Sequence, residues 1–288
     1  HLCLFFIKKG WKVYSISKSK PKKNRKVNGV KYIFCDVSDK NKLRKKLADH
    51  YDYVINVSGY VDHSKKRSIM RSHYQGCKNL VDILKKKKLK KFIQIGSSIE
   101  YGKKKSPHKE TNVKKFNTLS FYGNAKLAST LFLLSAFKKE SFPVSILRLY
   151  LVFGPYQDDN RVIPYVINNS LDGKSFACSP GNQLRDFLYI EDVVNAIYKS
   201  IKSHKNDGEV INIGSQKPIK IRKLIIKIVN LIGKGKPNFC KIKIRSDEPI
   251  KLFPNISKAK KILNWTPKTN LIKGLKKTIK FYKQQFQD

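Results

Sequence analysis

Residues 92–102 read FIQIGSSIEYG, and residues 120–126 read SFYGNAK. The first stretch opens as a short, mostly apolar run, the pattern of a strand buried in a parallel sheet, and then turns at Gly96-Ser97-Ser98. In open α/β sheets ligands bind beyond the carboxyl ends of the strands, so Ser97 stands where chemistry is expected. Twenty-five residues later Tyr122 and Lys126 lie four apart at the start of an amphipathic helix, which puts both on one face. A lysine ammonium beside a tyrosine favours the phenolate and lowers a phenol whose ordinary pKa is about 10. Bringing it near neutrality requires ~4 kcal/mol of differential stabilisation. The product is a general acid/base for a hydroxyl proton, with the Ser97 hydroxyl aligning the substrate oxygen. The Tyr-x-x-x-Lys spacing also occurs at Tyr14/Lys18, Tyr74/Lys78, Tyr101/Lys105 and Tyr198/Lys202. Only Tyr122/Lys126 opens a helix downstream of a strand-terminal serine pair.

Working outward, residues 11–17 (WKVYSIS), 30–35 (VKYIFC), 53–57 (YVINV) and 144–149 (VSILRL) read as further buried strands. Helical patterns at residues 41–49, 68–87 and 120–139 lie between them. This βαβ rhythm predicts an α/β fold, a doubly wound parallel sheet with right-handed crossovers and helices on both faces. From Gly154 the elements become shorter and mixed, punctuated by Pro155, Pro164, Pro180, Pro218, Pro237, Pro249 and Pro254. The expected organisation is a dinucleotide-binding domain over residues 1–153 and a smaller substrate lobe over 154–288, interleaved with the last strands. Residues 1–9 read as the later turns of a helix. A doubly wound sheet needs a strand before such a helix, so a first strand and its glycine loop are expected upstream of His1.

Composition bounds the function. The 288 residues include 40% apolar and 11% aromatic side chains, as in globular chains. No apolar stretch approaches the ~18 residues of a membrane span. Five cysteines, odd in number and without a Cys-x-x-Cys pair, predict a reduced, cytoplasmic protein with neither a disulfide framework nor a metal site. The net charge of +42 suggests polyanion binding. Only 9 of the 62 basic residues are arginines, however, whereas nucleic-acid readout leans on arginine forks. With the lysines spread over the whole chain, no specific nucleic-acid partner is expected.

Taken together, several segments resemble the extended short-chain dehydrogenases/reductases, the NAD-dependent epimerase/dehydratase family. Ser97, Tyr122 and Lys126 match that family's catalytic triad in order, spacing and setting. Cys35-Asp36-Val37 resembles the segment whose aspartate meets adenine, and residues 54–59 (VINVSG) the strand end against the cofactor, with Val57, Ser58 and Gly59 at its tip. Arg148 through Pro155, residues 161–164 (RVIP), 185–192 (RDFLYIED), 212–214 (NIG), 257–259 (SKA) and 263–267 (LNWTP) are similar to family motifs further along. His1-Leu2 resembles the residues just after the family's glycine turn, which receives the pyrophosphate. By the same resemblance Lys126 also holds cofactor ribose, and Arg185 and Arg245 hold the phosphates of the substrate nucleotide.

Some positions depart from the family pattern. Ser17-Lys18 stands where NAD users carry an acidic residue for the ribose hydroxyls, and a cation there tolerates a 2′-phosphate, which leaves NAD and NADP both open. Leu151 and His73 occupy places often held by asparagine. Glu100 lies one position later than the acid of 4,6-dehydratases, which argues against dehydration. The resemblance implies oxidoreduction at a sugar carbon of a nucleotide-activated hexose, first as 4-epimerisation of the UDP-glucose kind, in a homodimer. The alternatives are an NADPH-dependent 4-ketoreductase and a non-catalytic, polyanion-binding relative.

Overall fold

The structure is a computed structural model and describes residues 1–60, 65–112, 118, 120–244 and 248–287. Helix α1 (Leu2–Lys8) leads into β1 (Tyr14–Ser17), which pairs in parallel with β2 (Lys31–Phe34). Next come α2 (Lys40–Lys46), N-capped by the Asp39 side chain, and β3 (Tyr53–Asn56). One long helix then runs through α3 (Lys66–Met70), a π-helical turn at Arg71–Gln75 and α4 (Gly76–Leu84). β4 (Lys91–Ser97), α5 (Phe121–Glu140) and β5 (Val144–Leu149) complete the first half.

The second half is built of shorter pieces. β6 (Leu151–Phe153), α6 (Val162–Leu171), β7 (Ser175–Ala177) and β8 (Leu184–Arg185) precede β9 (Phe187–Tyr189) and α7 (Ile190–Lys202). They are followed by β10 (Glu209–Ile213), β11 (Ile219–Lys220), α8 (Ile221–Ile232) and β12 (Lys236–Asn238). β13 (Lys251–Leu252), α9 (Ser257–Leu263) and α10 (Leu271–Gln287) end the chain.

The fold is α/β, as the strand–helix rhythm predicts. The main sheet is parallel, in the order β10-β5-β4-β3, and β10 enters it from the second half. Alternate side chains feed two apolar layers. Phe92, Val144, Ile146 and Val210 pack on one face with Leu43, Val81, Leu84 and Leu133 of α2, α4 and α5. Ile93, Leu147, Ile211 and Ile213 pack on the other with Phe6, Ile197, Leu263 and Trp265 of α1, α7, α9 and the segment after α9. A third core, from α6, α8 and α10 with Phe153, Phe176 and Tyr189, fills the smaller lobe.

β1 and β2 form a separate two-stranded unit, so β1 and β3 each keep one edge without a strand partner among the described residues. A cavity of ≈ 820 Å³ opens between them, lined by Val13, Ser15, Val54 and Asn56 among others.

Two local readings differ from the expectation. The first strand starts at Tyr14, not Trp11: the Trp11 N–H turns back to the Phe6 carbonyl, and its ring stacks on Tyr53 at 5.0 Å. Helix α5 is not amphipathic. Its apolar side chains run round the whole circumference, with Leu127 and Leu133 buried and Leu131, Phe132 and Leu134 partly exposed. The Asp-Trp pair of the family-like motifs is structural. Trp265 Nε1 donates to the Asp192 carbonyl, and the Asp192 carboxylate accepts from Lys268 N and Thr269 N, both at 2.9 Å, which clamps the C-terminal helices onto α7.

Candidate active site

β4 delivers Ser97 at its carboxyl end, where the chain tightens into a 3₁₀ turn at Ser98–Tyr101. The turn is fixed by a capping box: Ser97 Oγ accepts from Ile99 N, and the Glu100 carboxylate accepts from Ser97 N at 2.7 Å. Helix α5 begins at Ser120, whose hydroxyl accepts from Gly123 N, so Tyr122 sits in its first turn and Lys126 one turn further. The two elements meet where the Ser97 side chain faces the Tyr122 phenol and works against its upward shift. The His73 ring packs edge-on against Tyr122 at 5.0 Å. Lys126 is 5% exposed and its Nζ lies 6.0 Å from the Tyr122 ring centre. The structure thus brings Ser97, Tyr122 and Lys126 together, and the other four Tyr-x-x-x-Lys pairs stay outside this cluster. Tyr101 is committed elsewhere, its hydroxyl donating to Asn212 Oδ1 at 2.7 Å.

By itself, Lys126 does not draw the Tyr122 proton down. Burial, reinforced by the Glu100 carboxylate, pushes Tyr122 up to about 12. Burial pushes Lys126 itself down to about 8, and its ammonium donates to the Ile95 carbonyl at 2.9 Å. The enclosure that makes the pair effective also disfavours both charged forms. The protein's own charges therefore leave the phenol protonated at neutral pH.

The cofactor-type residues gather on one rim, at the carboxyl ends of β1, β2 and β3. Burial raises the Asp36 carboxyl, but hydrogen bonds from Ser38 N and Oγ, helped by Lys18, outweigh it and hold the group below its ordinary value. Lys18 Nζ is 3.5 Å from Asp36 Oδ2 and its side chain is 82% exposed; Ser17 Oγ donates to the Ser19 carbonyl. Val37 packs beneath Gly76. Ser58 is tied through N and Oγ to Asn56 Oδ1, and Asn56 donates to Gln94. Val57 is 60% exposed, an apolar surface at the mouth of the site. Gly59 adopts φ +155°, and a Cβ there would stand 1.7 Å from the His73 ring, so only glycine lets the chain pass this close to the site.

The substrate side is less complete. Arg185 on β8 is buried, and its guanidinium donates to Glu248 Oε1 at 2.6 Å and to the carbonyls of Leu184 and Ile250. Asp186 is not its partner and instead accepts from Ser215 N and Oγ. Arg245 lies outside the described residues.

Sequence reasoning did not identify the buried set around Glu100. Its carboxylate also accepts from Arg148 Nε at 2.9 Å and from Thr130 Oγ1 at 2.8 Å. The Ser-x-x-Glu spacing of a capping box was the available signal.

The chain matches the NAD dependent epimerase/dehydratase family over residues 1–214. It is 30% identical over 222 residues to the UDP-glucuronate 4-epimerase of Thermodesulfobacterium geofontis, covering 75% of this chain and 66% of that protein. It is also 30% identical over 225 residues to the human dTDP-D-glucose 4,6-dehydratase, covering 73% and 61% respectively. The matches therefore span about two thirds of the length of these relatives. Among solved structures, the UDP-glucuronic acid 4-epimerase of Bacillus cereus in complex with UDP-glucuronic acid and NAD superposes with a TM-score of 0.87 at 27% identity, covering 99% of this chain and 95% of that one. The chain belongs to the NAD-dependent epimerase/dehydratase family.

Proposed function

We propose that the protein catalyses NAD(P)-dependent oxidoreduction at C4 of a nucleotide-activated hexose, in the form of 4-epimerisation. The observation that carries this reading is the meeting of Ser97 at the end of β4 with Tyr122 of α5, Lys126 standing one helical turn further on in a buried site. Relatives of this chain act on UDP- and dTDP-linked hexoses.

The residues present suit a nicotinamide dinucleotide. Asp36 with Val37 would offer an edge for adenine, Ser17 and Lys18 would meet the adenosine ribose, Val57, Ser58 and Gly59 would form the wall beside the dinucleotide, and Lys126 would hold the second ribose. Bound there, such a cofactor would supply reversible hydride exchange with the sugar carbon. In the protein, Tyr122 moves the proton: its phenolic oxygen takes the proton from the C4 hydroxyl and later gives it back to the ketone oxygen. Ser97 holds that oxygen in line. Lys126, poised near 8, supplies a positive neighbour when protonated and so favours the phenolate in the loaded site. Arg185 and Arg245 engage the diphosphate from the lobe. Residues 1–153 form the cofactor half and residues 154–288 the substrate lobe, with β10 lent back to the first half. Dehydration is disfavoured because the Glu100 carboxylate is buried under three hydrogen bonds and not free to act as an acid. Incubation with UDP- and dTDP-hexoses and either cofactor, with product stereochemistry read by NMR, tests the reading. Inversion at C4 supports it, and absence of turnover with every nucleotide sugar refutes it.

A second reading is an NADPH-dependent 4-ketoreductase. It is favoured by Ser17-Lys18 at the end of β1, where the exposed Lys18 side chain suits a 2′-phosphate. One-way reduction of a 4-ketosugar with NADPH, without epimerisation, would select it. The homodimer is proposed on α5, whose partly exposed Leu131, Phe132 and Leu134 would be covered by a second copy. Sedimentation equilibrium decides this. The five free cysteines support placement in a reducing cytoplasm.

A further inference from the structure

We propose that Glu100 is a positioning residue, which holds the Ser97 turn, helix α5 and strand β5 in one fixed relation; this rests on the reading of Ser97, Tyr122 and Lys126 as the reacting groups. The carboxylate is 2% exposed, and its bonds run in three directions. Oε1 accepts from the backbone N–H of Ser97 at 2.7 Å. Oε2 accepts from Thr130 Oγ1 at 2.8 Å and from Arg148 Nε at 2.9 Å. Thr130 stands four residues beyond Lys126 and eight beyond Tyr122, on the same face of α5. Glu100 therefore ties the serine on one element to the helix that carries its two partners, and anchors both to the neighbouring strand.

The energetics argue that the arrangement is not there for stability alone. A buried ion pair stabilises little relative to an apolar replacement, because desolvation offsets the attraction. Here the balance is worse than usual, since Arg148 Nη1 is buried without a hydrogen-bond partner. The neighbouring sequence is also shaped to admit the pair. A Cβ at Gly96 would lie 2.7 Å from Glu100 Oε1, so residue 96 has to leave that space open. The Arg148 guanidinium lies 4.7 Å from the Tyr101 ring centre, and Tyr101 in turn reaches Asn212 of β10. What the pair provides is geometry: a fixed separation between groups on three elements, which effective general acid/base catalysis requires. Its charge also reaches the site. Glu100 raises both Tyr122 and Lys126, acting alongside the other groups that face the phenol, Ser97, Arg161, Lys126 and the His73 ring.

The test uses three variants of the protein. Thr130→Val cuts the tether to α5 and leaves the ion pair, Thr130→Ser keeps the tether, and Glu100→Gln with Arg148→Met removes both charges together so that neither is stranded. Turnover of the nucleotide sugar, thermal melting, and the titration of Tyr122 followed by NMR of ¹³C-labelled tyrosine, with Tyr122→Phe for assignment, are compared. The expected result is a ~10-fold lower kcat for Thr130→Val with KM unchanged, recovery in Thr130→Ser, and a larger kcat loss in the folded double variant, since small misplacements cost up to ~10²-fold. In the double variant the Tyr122 titration moves to lower pH. Parental kcat with an unmoved titration in the double variant overturns the proposal. So does a Thr130→Val loss that follows only the melting temperature and that serine does not restore. If the parent turns over no nucleotide sugar, the proposed function falls by itself, and the Tyr122 titration alone then decides whether Glu100 is coupled to this site.

Discussion

Replacing Lys126 by methionine should stabilise the protein at neutral pH while abolishing its activity. The side chain is buried, and burial brings its pKa from 10.5 to about 8. That difference corresponds to about 3 kcal/mol of destabilisation by the charged form. The sign follows from proton linkage. Below pH 8 the folded protein carries the buried ammonium and bears the whole penalty. Between about 8 and 10.5 the folded state releases the proton while the unfolded chain keeps it, so stability rises with pH. Above 10.5 both states are neutral and the penalty is gone. Methionine fills the same channel without charge but loses the hydrogen bond to the Ile95 carbonyl, a loss of ~1 kcal/mol. Lys126→Met should therefore be more stable than the parent by ~2 kcal/mol at pH 7, roughly 3 °C in melting temperature for a chain of this length. At pH 11 it should be less stable by ~1 kcal/mol, the hydrogen-bond loss alone. Urea unfolding of both proteins at the two pH values measures this, and comparing the pair cancels the repulsion among the other lysines. A variant less stable than the parent at pH 7, or a difference independent of pH, would refute the reasoning.

Tyr122→Phe keeps the ring and its packing on His73 but removes the oxygen, and should lower kcat by at least ~10²-fold with cofactor binding nearly unchanged; steady-state kinetics and calorimetry check both. Tyr101→Phe, which cuts the bond to Asn212, should instead show its effect in melting temperature. Arg185→Ala should weaken nucleotide-sugar binding by ~2 kcal/mol by calorimetry, with cofactor affinity unaffected. Asp192→Ala releases the amides of Lys268 and Thr269 and should destabilise the fold by ~3 kcal/mol in urea, with kcat per folded molecule unchanged.

The parts of the fold that could be read in the chain are those fixed by local pattern. β4 and β5 are covered on both faces, and their mostly apolar runs, interrupted by Gln94 in the first and by Ser145 and Arg148 in the second, say so. The serine at the strand end and the tyrosine and lysine on one helical face follow from period and position, and the folded protein brings them together. Three features depend on tertiary burial and lay beyond that reading. The spacing of Tyr122 and Lys126 implied attraction between ammonium and phenolate, but desolvation reverses its outcome, pushing the first down and the second up. Arg148 read as the start of a motif, yet its partner Glu100 lies 48 residues earlier and meets it only across the sheet. Arg185 entered only through the family resemblance, and nothing in the local sequence signals that β13 and the residues before it bring Glu248 to its guanidinium.

The charge of the chain bears on how its substrate would be recognised. A net +42 attracts any anion at long range, and that attraction fades once ionic strength shortens the Debye length to about 8 Å. A nucleotide sugar would feel it as strongly as a fragment of RNA. Selectivity must come from cations that are held in place rather than merely abundant. Arg185, proposed above to engage the diphosphate, is a cation of that kind, fixed by Glu248 and two carbonyls, with most of its surface withdrawn from salt. Its share of the binding energy should therefore survive at high ionic strength, where the share of the surface lysines is lost. The same logic explains the scarce acids. With 20 carboxylates against 62 basic groups, those that are buried, Glu100, Asp186 and Asp192, each gather two or three donors at a junction between elements. The interior uses negative charge to set geometry, and the surface leaves positive charge free to collect ligand.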